Sequence, residues 1–360
     1  AVCRGGGKII VARIRGQWFI DYSKEWWKKA SREWLQRMLI IPEKYRKLFE
    51  DTIEWLALRP CARGRGLGTK LPFDKRWVIE SLSDSTIYMA FYTIAHIIRR
   101  ENISPESLIP EVFDYVFLGN GNVEDISKRS GIPIRILEEM RRSFEYWYPN
   151  DLRHTATPHI TNHLTFFIMH HVAIFSEKYW PRGISLNETV IREGVKMAKS
   201  KGNVIPLADI SKRYSADLFR LYVASSADLD GIVDWREKDV ENLKRALINF
   251  VSLVLEASKF KEEKLERLLN IDKWLLSKFY RRLEKGKELL ENFRIRDFVV
   301  SMFYETMNDI GYHRRRSSRE RNLAIVRMFL KDWIICLSPI IPHICEEVWS
   351  RINDDPSKWS

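Results

Sequence analysis

The sequence predicts an α/β region followed by an all-α helical bundle, with the change of architecture near residue 235. Up to that point short apolar runs of strand character alternate with helical stretches, the α/β pattern. Beyond Asp234 apolar residues recur at helical spacing in four successive sets. The scale is right as well. A chain of 360 residues with 45% apolar side chains and 13 Trp has material for two or three domains, which excludes a disordered chain.

Composition narrows the function classes. Cys3, Cys61, Cys336 and Cys345 are too few and too scattered for a disulfide framework or a four-ligand zinc site, and no metal site is expected. That usage fits a reducing, cytoplasmic setting. No apolar run approaches the ~20 residues that cross a bilayer, since the longest, Trp333–Cys345, is broken by Pro339 and Pro342. No N-terminal signal is visible. A net charge of +12 suits a polyanionic partner such as nucleic acid, and many basic proteins carry such a charge without one.

The elements follow in order. Lys8–Arg15 alternates apolar and basic residues as a strand does, and Gln17–Tyr22 is a second short apolar run. Ser23–Met38, basic and rich in Trp, reads as a helix, as does Pro42–Leu58. Arg59–Lys70 is a Gly/Arg-rich loop and Trp77–Leu82 a strand. Ser83-Asp84-Ser85 then offers N-cap residues to a helix from Thr86 to Arg99. Ser104–Asp114 is a Pro-broken connection, and Val123–Trp147 is two helices parted near Gly131-Ile132-Pro133. Asn162–Tyr179 is a long apolar helix, followed by a strand after Gly183 and helices at Pro206–Tyr214 and Ala216–Ser225. The bundle helices are marked by Val240, Leu243, Leu247, Phe250 and Val254, then by Leu276, Phe279, Leu283 and Leu290. Val299, Met302, Phe303 and Ile310 mark the third, and Val326, Phe329, Leu330, Trp333 and Leu337 the fourth.

The sharpest local signal is Lys196-Met197-Ala198-Lys199-Ser200-Lys201-Gly202-Asn203. Three lysines and a Gly-Asn turn make a cationic loop able to wrap a triphosphate, since Lys is a compact point charge without fixed geometry. Charge held where a pyrophosphate departs favours the transition state over the ground state. A solvated basic loop is the plain alternative.

This octamer resembles the KMSKS loop of class I aminoacyl-tRNA synthetases, and Ala216-Asp217-Leu218-Phe219-Arg220 matches the Ala-Asp-x-x-Arg helix that follows it. QWFIDY (17–22), GLGTKLPF (66–73), WVIESLSDSTIYMAFYTIAH (77–96), FEYWYPNDLRH (144–154), NHLTFFIMHHVAIF (162–175) and SPIIPHICEEVW (338–349) extend the likeness over nearly the whole chain. It is similar to the second half of leucyl-tRNA synthetases of the archaeal/eukaryotic type. The resemblance implies a Rossmann-like nucleotide-binding half-domain. Residues 1–20 would be the exit strands of an editing insertion, 21–235 the second half of the catalytic domain, and 236–360 a bundle of the anticodon-binding type.

It also implies site residues. Lys196 and Lys199 would be catalytic. Lys196, Met197, Lys199, Ser200, Asn162 and His163 would meet ATP, which arrives with Mg2+. Ser83, Asp84, Ser85 and Tyr88 would line the leucine pocket, or act as a cap on a core helix. Asn162-His163 has a capping alternative as well. Arg63, Arg65, Arg314, Arg315 and Arg316 would meet tRNA(Leu). Arginines at a helix C-terminus also complement the helix dipole, but five in nine residues (His313–Arg321) exceed that need. No membrane partner is expected.

Two departures from the family pattern stand out. No HIGH-type signature is present, so the chain is expected to be a fragment or a split subunit with a companion chain carrying that half and the editing domain. The family reads Ser-Gly-(Arg/Lys)-Asp-Leu-Ile where this chain has Thr155-Ala156-Thr157-Pro158-His159-Ile160, and the central Ser of KMSKS is Ala198. Ala156 adds a Cβ where glycine admits a close ligand, and Pro158 offers no acceptor to ribose hydroxyls. Two functions are therefore expected in competition: a leucine–tRNA ligase, and a catalytically impaired paralogue that binds tRNA.

Overall fold

The computed structural model describes residues 2–3, 6–10, 14–198, 202–260 and 267–352. The chain forms two compact units, Ala1–Leu186 and Asn187–Ser360.

The first unit runs β1 (Phe19–Asp21), α1 (Glu25–Arg37), β2 (Leu39–Ile41), α2 (Arg46–Trp55), β3 (Leu58–Pro60), β4 (Ala62–Arg63), β5 (Lys70–Leu71), β6 (Asp74–Ile79), α3 (Ser81–Ser85), α4 (Met89–Arg100), α5 (Pro110–Phe113), α6 (Val123–Ser130), α7 (Ile134–Trp147), β7 (Arg153–Ala156), α8 (Thr165–Ile174) and β8 (Gly183–Asn187). Its central sheet is ordered β2-β8-β7, with β2 and β8 parallel and Ile40 opposite Ile184. Parallel strands need a long crossover, supplied here by everything between residues 41 and 183. Helix α8 is apolar on almost every side, so it is enclosed: Thr165–Val172 are all buried. It packs with Leu35, Phe49, Ile53, Ile184 and Leu186. A second cluster, around Phe144 and Tyr148, joins α4, α6 and α7.

Three expectations need correction here. Ser83-Asp84-Ser85 does not cap the following helix, because these residues lie inside α3, whose own cap is the Glu80 carboxylate accepting from the Leu82 N–H. The helix expected over Asn162–Tyr179 opens with a wide turn at Ile160–Leu164 and ends at Ile174. Lys8–Arg15 forms no strand among its described residues, and an isolated bridge pairs Val2 with Lys8. A strand lacking a partner of its own cannot satisfy its backbone, and propensity does not overcome that.

The second unit opens with β9 (Val190–Arg192), β10 (Val195–Lys196), α9 (Leu207–Tyr214), α10 (Ala216–Ser226) and β11 (Val233–Trp235). The β9–β10 hairpin turns on Glu193-Gly194 with φ of 48° and 74°, the doubly left-handed turn that matches strand twist. β11 lies parallel to β9. The bundle follows as α11 (Glu237–Ser258), α12 (Asn270–Glu291), α13 (Ile295–Val299), α14 (Thr306–Arg314), α15 (Arg319–Leu337) and α16 (Pro342–Ile352). A wide turn over Val300–Glu305 runs α13 into α14, so the four expected helices are present with α16 added. Phe250, Phe279, Phe303, Phe329 and Trp333 form the core. Gly286 lets α12 close on Phe298, where a Cβ would come within 3.3 Å of the ring.

Two buried carboxylates organise this unit. Asp217 accepts from His343 Nδ1 at 2.9 Å and from the Ile344 N–H at 2.7 Å, capping α16, while Arg220 Nε donates to the Ile340 carbonyl at 3.0 Å. Residues 217 and 220 are one helical turn apart, so the Ala-Asp-x-x-Arg motif grips both sides of the α15–α16 turn. Asp272, fully buried, accepts from Arg321 Nε at 2.9 Å and from His313 Nε2 at 2.9 Å. Asp272→Ala leaves the fully buried His313 and the part-exposed Arg321 without their acceptor, so it should cost about 1–3 kcal/mol. The exposed Arg319–Glu256 pair should be worth under ~1 kcal/mol. Urea unfolding of Asp272→Ala and Arg319→Ala checks this, and equal losses would refute it.

Candidate functional site

In the first unit a polar cluster gathers where α3, β7 and the start of α8 meet. Arg153 at the head of β7 donates from Nη2 to His163 Nε2 at 2.6 Å. A guanidinium only donates, so Nε2 is bare and the imidazole proton sits on Nδ1, 3.4 Å from Ser85 Oγ. Burial, and then the Arg153 charge, hold the His163 pKa down to about 4. Arg153, half-buried, lies over the Phe167 ring, 4.7 Å from its centroid. One permanent cation, one neutral imidazole, a hydroxyl and the half-exposed phenol of Tyr88 thus share one rim of the unit. That set favours an anionic oxygen of a small ligand, either carboxylate or phosphate.

Beneath it Thr86 is fixed by His170. His170 Nδ1 lies 2.7 Å from Thr86 Oγ1 and Nε2 lies 2.6 Å from the Tyr22 hydroxyl. His171 points its Nδ1 at the Phe167 carbonyl at 2.8 Å, with Tyr148 3.3 Å from Nε2. Burial holds the pKa of both imidazoles down to about 4.

Of the expected site residues, Ser85 and His163 come together, with Tyr88 three residues after Ser85 on the same turn-and-helix segment. Ser83 is half-buried and Asp84 exposed on α3. Asn162 is exposed, its Oδ1 3.3 Å from His159 Nδ1, and makes no cap. Arg63 is half-buried, and its Nη2 donates to the Leu67 carbonyl and closes the Gly/Arg loop. A Cβ on Gly68, at φ 146°, would sit 2.8 Å from Val78, which is why this loop needs glycine. Arg65 is exposed. Ala156 has an extended backbone at φ −82°, which any residue adopts, and Pro158 lies in the first turn of a 3-10 helix, where its missing N–H costs nothing.

In the second unit Lys196 ends β10, exposed, and Met197 is half-buried. Lys199 and Ser200 lie outside the described residues. Asn203 spans the loop's mouth, accepting from the Ala198 N–H at 2.8 Å and donating from Nδ2 to the Lys196 carbonyl at 3.2 Å. Arg314, Arg315 and Arg316 are exposed at the end of α14, with Arg316 stacked 3.5 Å from the Tyr312 ring centroid. Arg319 and Arg321, by contrast, are paired within the bundle. Among the described residues no three His, Cys, Asp or Glu side chains converge as metal ligands, and no helix is long and apolar enough to cross a membrane.

Sequence reasoning missed Arg153, Tyr22, Thr86 and His170, and took Asn203 for a turn residue alone. A weak signal existed: His163 and His170, seven residues apart on an otherwise apolar stretch, share a helical face.

Comparisons with known proteins agree with this architecture. Residues 10–235 match a family model for tRNA synthetases class I (I, L, M and V), and residues 272–358 one for the anticodon-binding domain of tRNA ligase. A leucine--tRNA ligase of Staphylothermus marinus is 57% identical over 99% of this chain. That of Methanocaldococcus jannaschii is 44% identical over 98%. The chain spans 37% of the length of each. The structure of Mycobacterium tuberculosis methionyl-tRNA synthetase in complex with methionyl-adenylate superposes with a TM-score of 0.65 at 14% identity, over 93% of this chain and 62% of that one, which establishes a shared fold.

The depressed histidines predict a pH dependence. Folded His170 and His171 titrate near 4, against ~6.5 unfolded. Between those values the unfolded state binds more protons. Stability of the first unit should therefore fall as pH drops from ~6.5 to ~4, by up to ~1.4 kcal/mol per pH unit for each buried imidazole. Urea midpoints across that range test it; a flat profile would contradict it. Arg153→Met should raise the His163 pKa and leave His170 in place, read by imidazole NMR titration.

Proposed function

The chain belongs to the tRNA synthetases of class I, in the group acting on I, L, M and V, and we propose that it is the second half of a leucine–tRNA ligase. The observation that carries the leucine assignment is 57% identity over 99% of the chain to a relative of that name. In this reading the leucine carboxylate oxygen attacks the α-phosphorus of ATP. A new P–O bond forms, the bond to the β-phosphate breaks, and pyrophosphate leaves. The aminoacyl group then passes to a ribose hydroxyl of tRNA(Leu), releasing AMP. The rest of the relatives' length, in the same polypeptide or as a companion chain, would complete the site. The setting is cytoplasmic.

Ser83, Asp84, Ser85 and Tyr88 line the leucine pocket, with Arg153 now added to receive the carboxylate. Asn162 and His163 stand beside the adenylate. Lys196 and Lys199 hold the departing pyrophosphate, with Met197 and Ser200 in the same loop, and Mg2+ travels with the nucleotide phosphates. Asn203 keeps the loop's two ends together. Arg63, Arg65, Arg314, Arg315 and Arg316 contact tRNA phosphates, and Arg63 also shapes its own loop.

A second reading, an impaired paralogue that binds tRNA, is favoured by Ala156, Pro158 and Ala198, which remove a ribose acceptor and a loop hydroxyl. Leucine-dependent pyrophosphate exchange by the complete enzyme separates the two. The ligase reading expects exchange at ordinary enzyme rates, lost at least about tenfold in Lys196→Ala. Slow exchange restored by Ala156→Gly with Pro158→Asp would establish the second.

For RNA binding, replacing Arg314, Arg315 and Arg316 together by Ala should lower the slope of log K against log salt by roughly two to three. An unchanged slope would remove these residues from the interface.

A further inference from the structure

Tyr22, His170 and Thr86 come from three separate elements, the end of β1, the middle of α8 and the end of α3, and all three side chains are buried. One arrangement of protons satisfies every group. Thr86 Oγ1 donates to the Leu82 carbonyl at 3.2 Å, so its lone pair is what His170 Nδ1–H meets at 2.7 Å. His170 Nε2 is then the acceptor for the Tyr22 hydroxyl at 2.6 Å. The direction is fixed: Tyr22 O–H to His170, His170 Nδ1–H to Thr86, Thr86 O–H to Leu82. Reversing it takes the Thr86 donor from the Leu82 carbonyl and deprives the buried Tyr22 hydroxyl proton of its Nε2 acceptor, which burial penalises. The imidazole is wedged as well, stacked on Tyr22 and Trp27 at 5.7 and 6.1 Å between ring centroids.

The neighbours give the chain a consequence. Thr86 follows Ser85 directly, and Tyr88 is two residues further. His170 lies seven residues beyond His163, on the same helical face. The rim contact Ser85–His163, at 3.4 Å, is long and half-exposed; the buried contact Thr86–His170, at 2.7 Å, is short and enclosed. The turn that carries Ser85 and Tyr88 is therefore registered against α8 from below rather than from the rim.

We infer that the Tyr22–His170–Thr86 chain is a positioning device that sets Ser85 and Tyr88 for the amino-acid substrate, with a neutral, Nδ1-protonated His170 as its central member. This rests on the ligase reading and assigns three residues to it, none of which touches substrate. The depressed pKa of His170 agrees with a neutral ring. Moving the turn displaces Ser85 and Tyr88 first, because His163 keeps its shorter contact with Arg153 at 2.6 Å and the lysine loop belongs to different residues. Loss should therefore appear in amino-acid binding and not in nucleotide binding.

The test is pyrophosphate exchange by the complete enzyme with Thr86→Val, Thr86→Ser and Tyr22→Phe. Thr86→Val keeps the shape and removes the hydroxyl, and should raise the KM for leucine about tenfold with the KM for ATP within about twofold. Thr86→Ser keeps the hydroxyl and should restore the leucine KM. Tyr22→Phe, the milder change, should raise it in the same direction by about threefold, and decides the matter if Thr86→Val does not fold. Imidazole 15N shifts should show His170 protonated on Nδ1 in the unsubstituted chain. Equal rises in both KM values, an unchanged leucine KM in Thr86→Val or Tyr22→Phe, or a His170 proton on Nε2 would overturn the inference. No exchange by the unsubstituted enzyme would instead overturn the ligase reading, and this inference with it.

Discussion

A helix that is apolar on almost every side has to be enclosed, and the first unit is arranged around that need. Helix α8 carries Phe166, Phe167, Ile168, Met169 and Val172 on successive faces, so no single partner covers it. Sheet strands β2 and β8 take one side and α1 and α2 another. Burying those five side chains is worth roughly 1.5–3 kcal/mol each against exposure, more than any single polar contact in the unit. The same enclosure makes its embedded histidines expensive to charge. His170 and His171 cannot reach water, so each must be neutral and fully hydrogen-bonded. The polar residues around them, Tyr22, Thr86 and Tyr148, are positioned by that requirement. The site rim is thus an outcome of core packing: Arg153 and Ser85 stand where the enclosure of α8 ends.

The second unit solves a different problem by similar means. Its helices are amphipathic and pack by their apolar stripes, but stripes alone do not fix how a helix pair turns. Asp217 and Arg220 do so for α15 and α16, satisfying backbone groups on both sides of one turn. Asp272 does so for α12 and α15, with His313 of α14 as third member. His313 is oriented by Asn322, whose Nδ2 lies 2.8 Å from Nδ1 and leaves Nε2 to carry the proton toward Asp272. Desolvation offsets much of the attraction in a buried ionic group of this kind, so its net contribution to stability is smaller than the cost of removing one member.

Much of this could be read in advance, for physical reasons that differ by residue. The bundle helices were legible because their apolar residues repeat at 3.6 over many turns, as in Val240 through Val254. The β9–β10 hairpin was less so, since Glu193-Gly194 is a turn signal only with its flanking strands in view. Ser83-Asp84-Ser85 misled because a capping sequence can sit inside a short helix when an upstream carboxylate, here Glu80, reaches the free N–H first. Arg63 was legible as a charge but not as a loop closure, because its bond to the Leu67 carbonyl depends on the turn through Gly66 and Gly68. The Tyr22–His170–Thr86 chain was beyond sequence reasoning altogether. Its members are 64 and 84 residues apart, and only the packing of α8 brings them within hydrogen-bond distance.

The substitutions that set this chain apart from its family pattern differ in kind once seen in place. Ala156 and Pro158 are compatible with the backbone they occupy, so the fold exerts no pressure to restore glycine or aspartate there. Any pressure would have to come from a ligand. Ala198 is different, because its backbone N–H is held by Asn203 whatever its side chain is. A serine there would add a hydroxyl without altering the clamp. The loop's shape at that point is therefore set by Asn203 and its charge by the lysines. Ala198, half-buried, lacks that hydroxyl without loosening the Asn203 contacts. The fold therefore does not register that loss, since the backbone contacts of Asn203 on either side of the loop hold with alanine or with serine at this position.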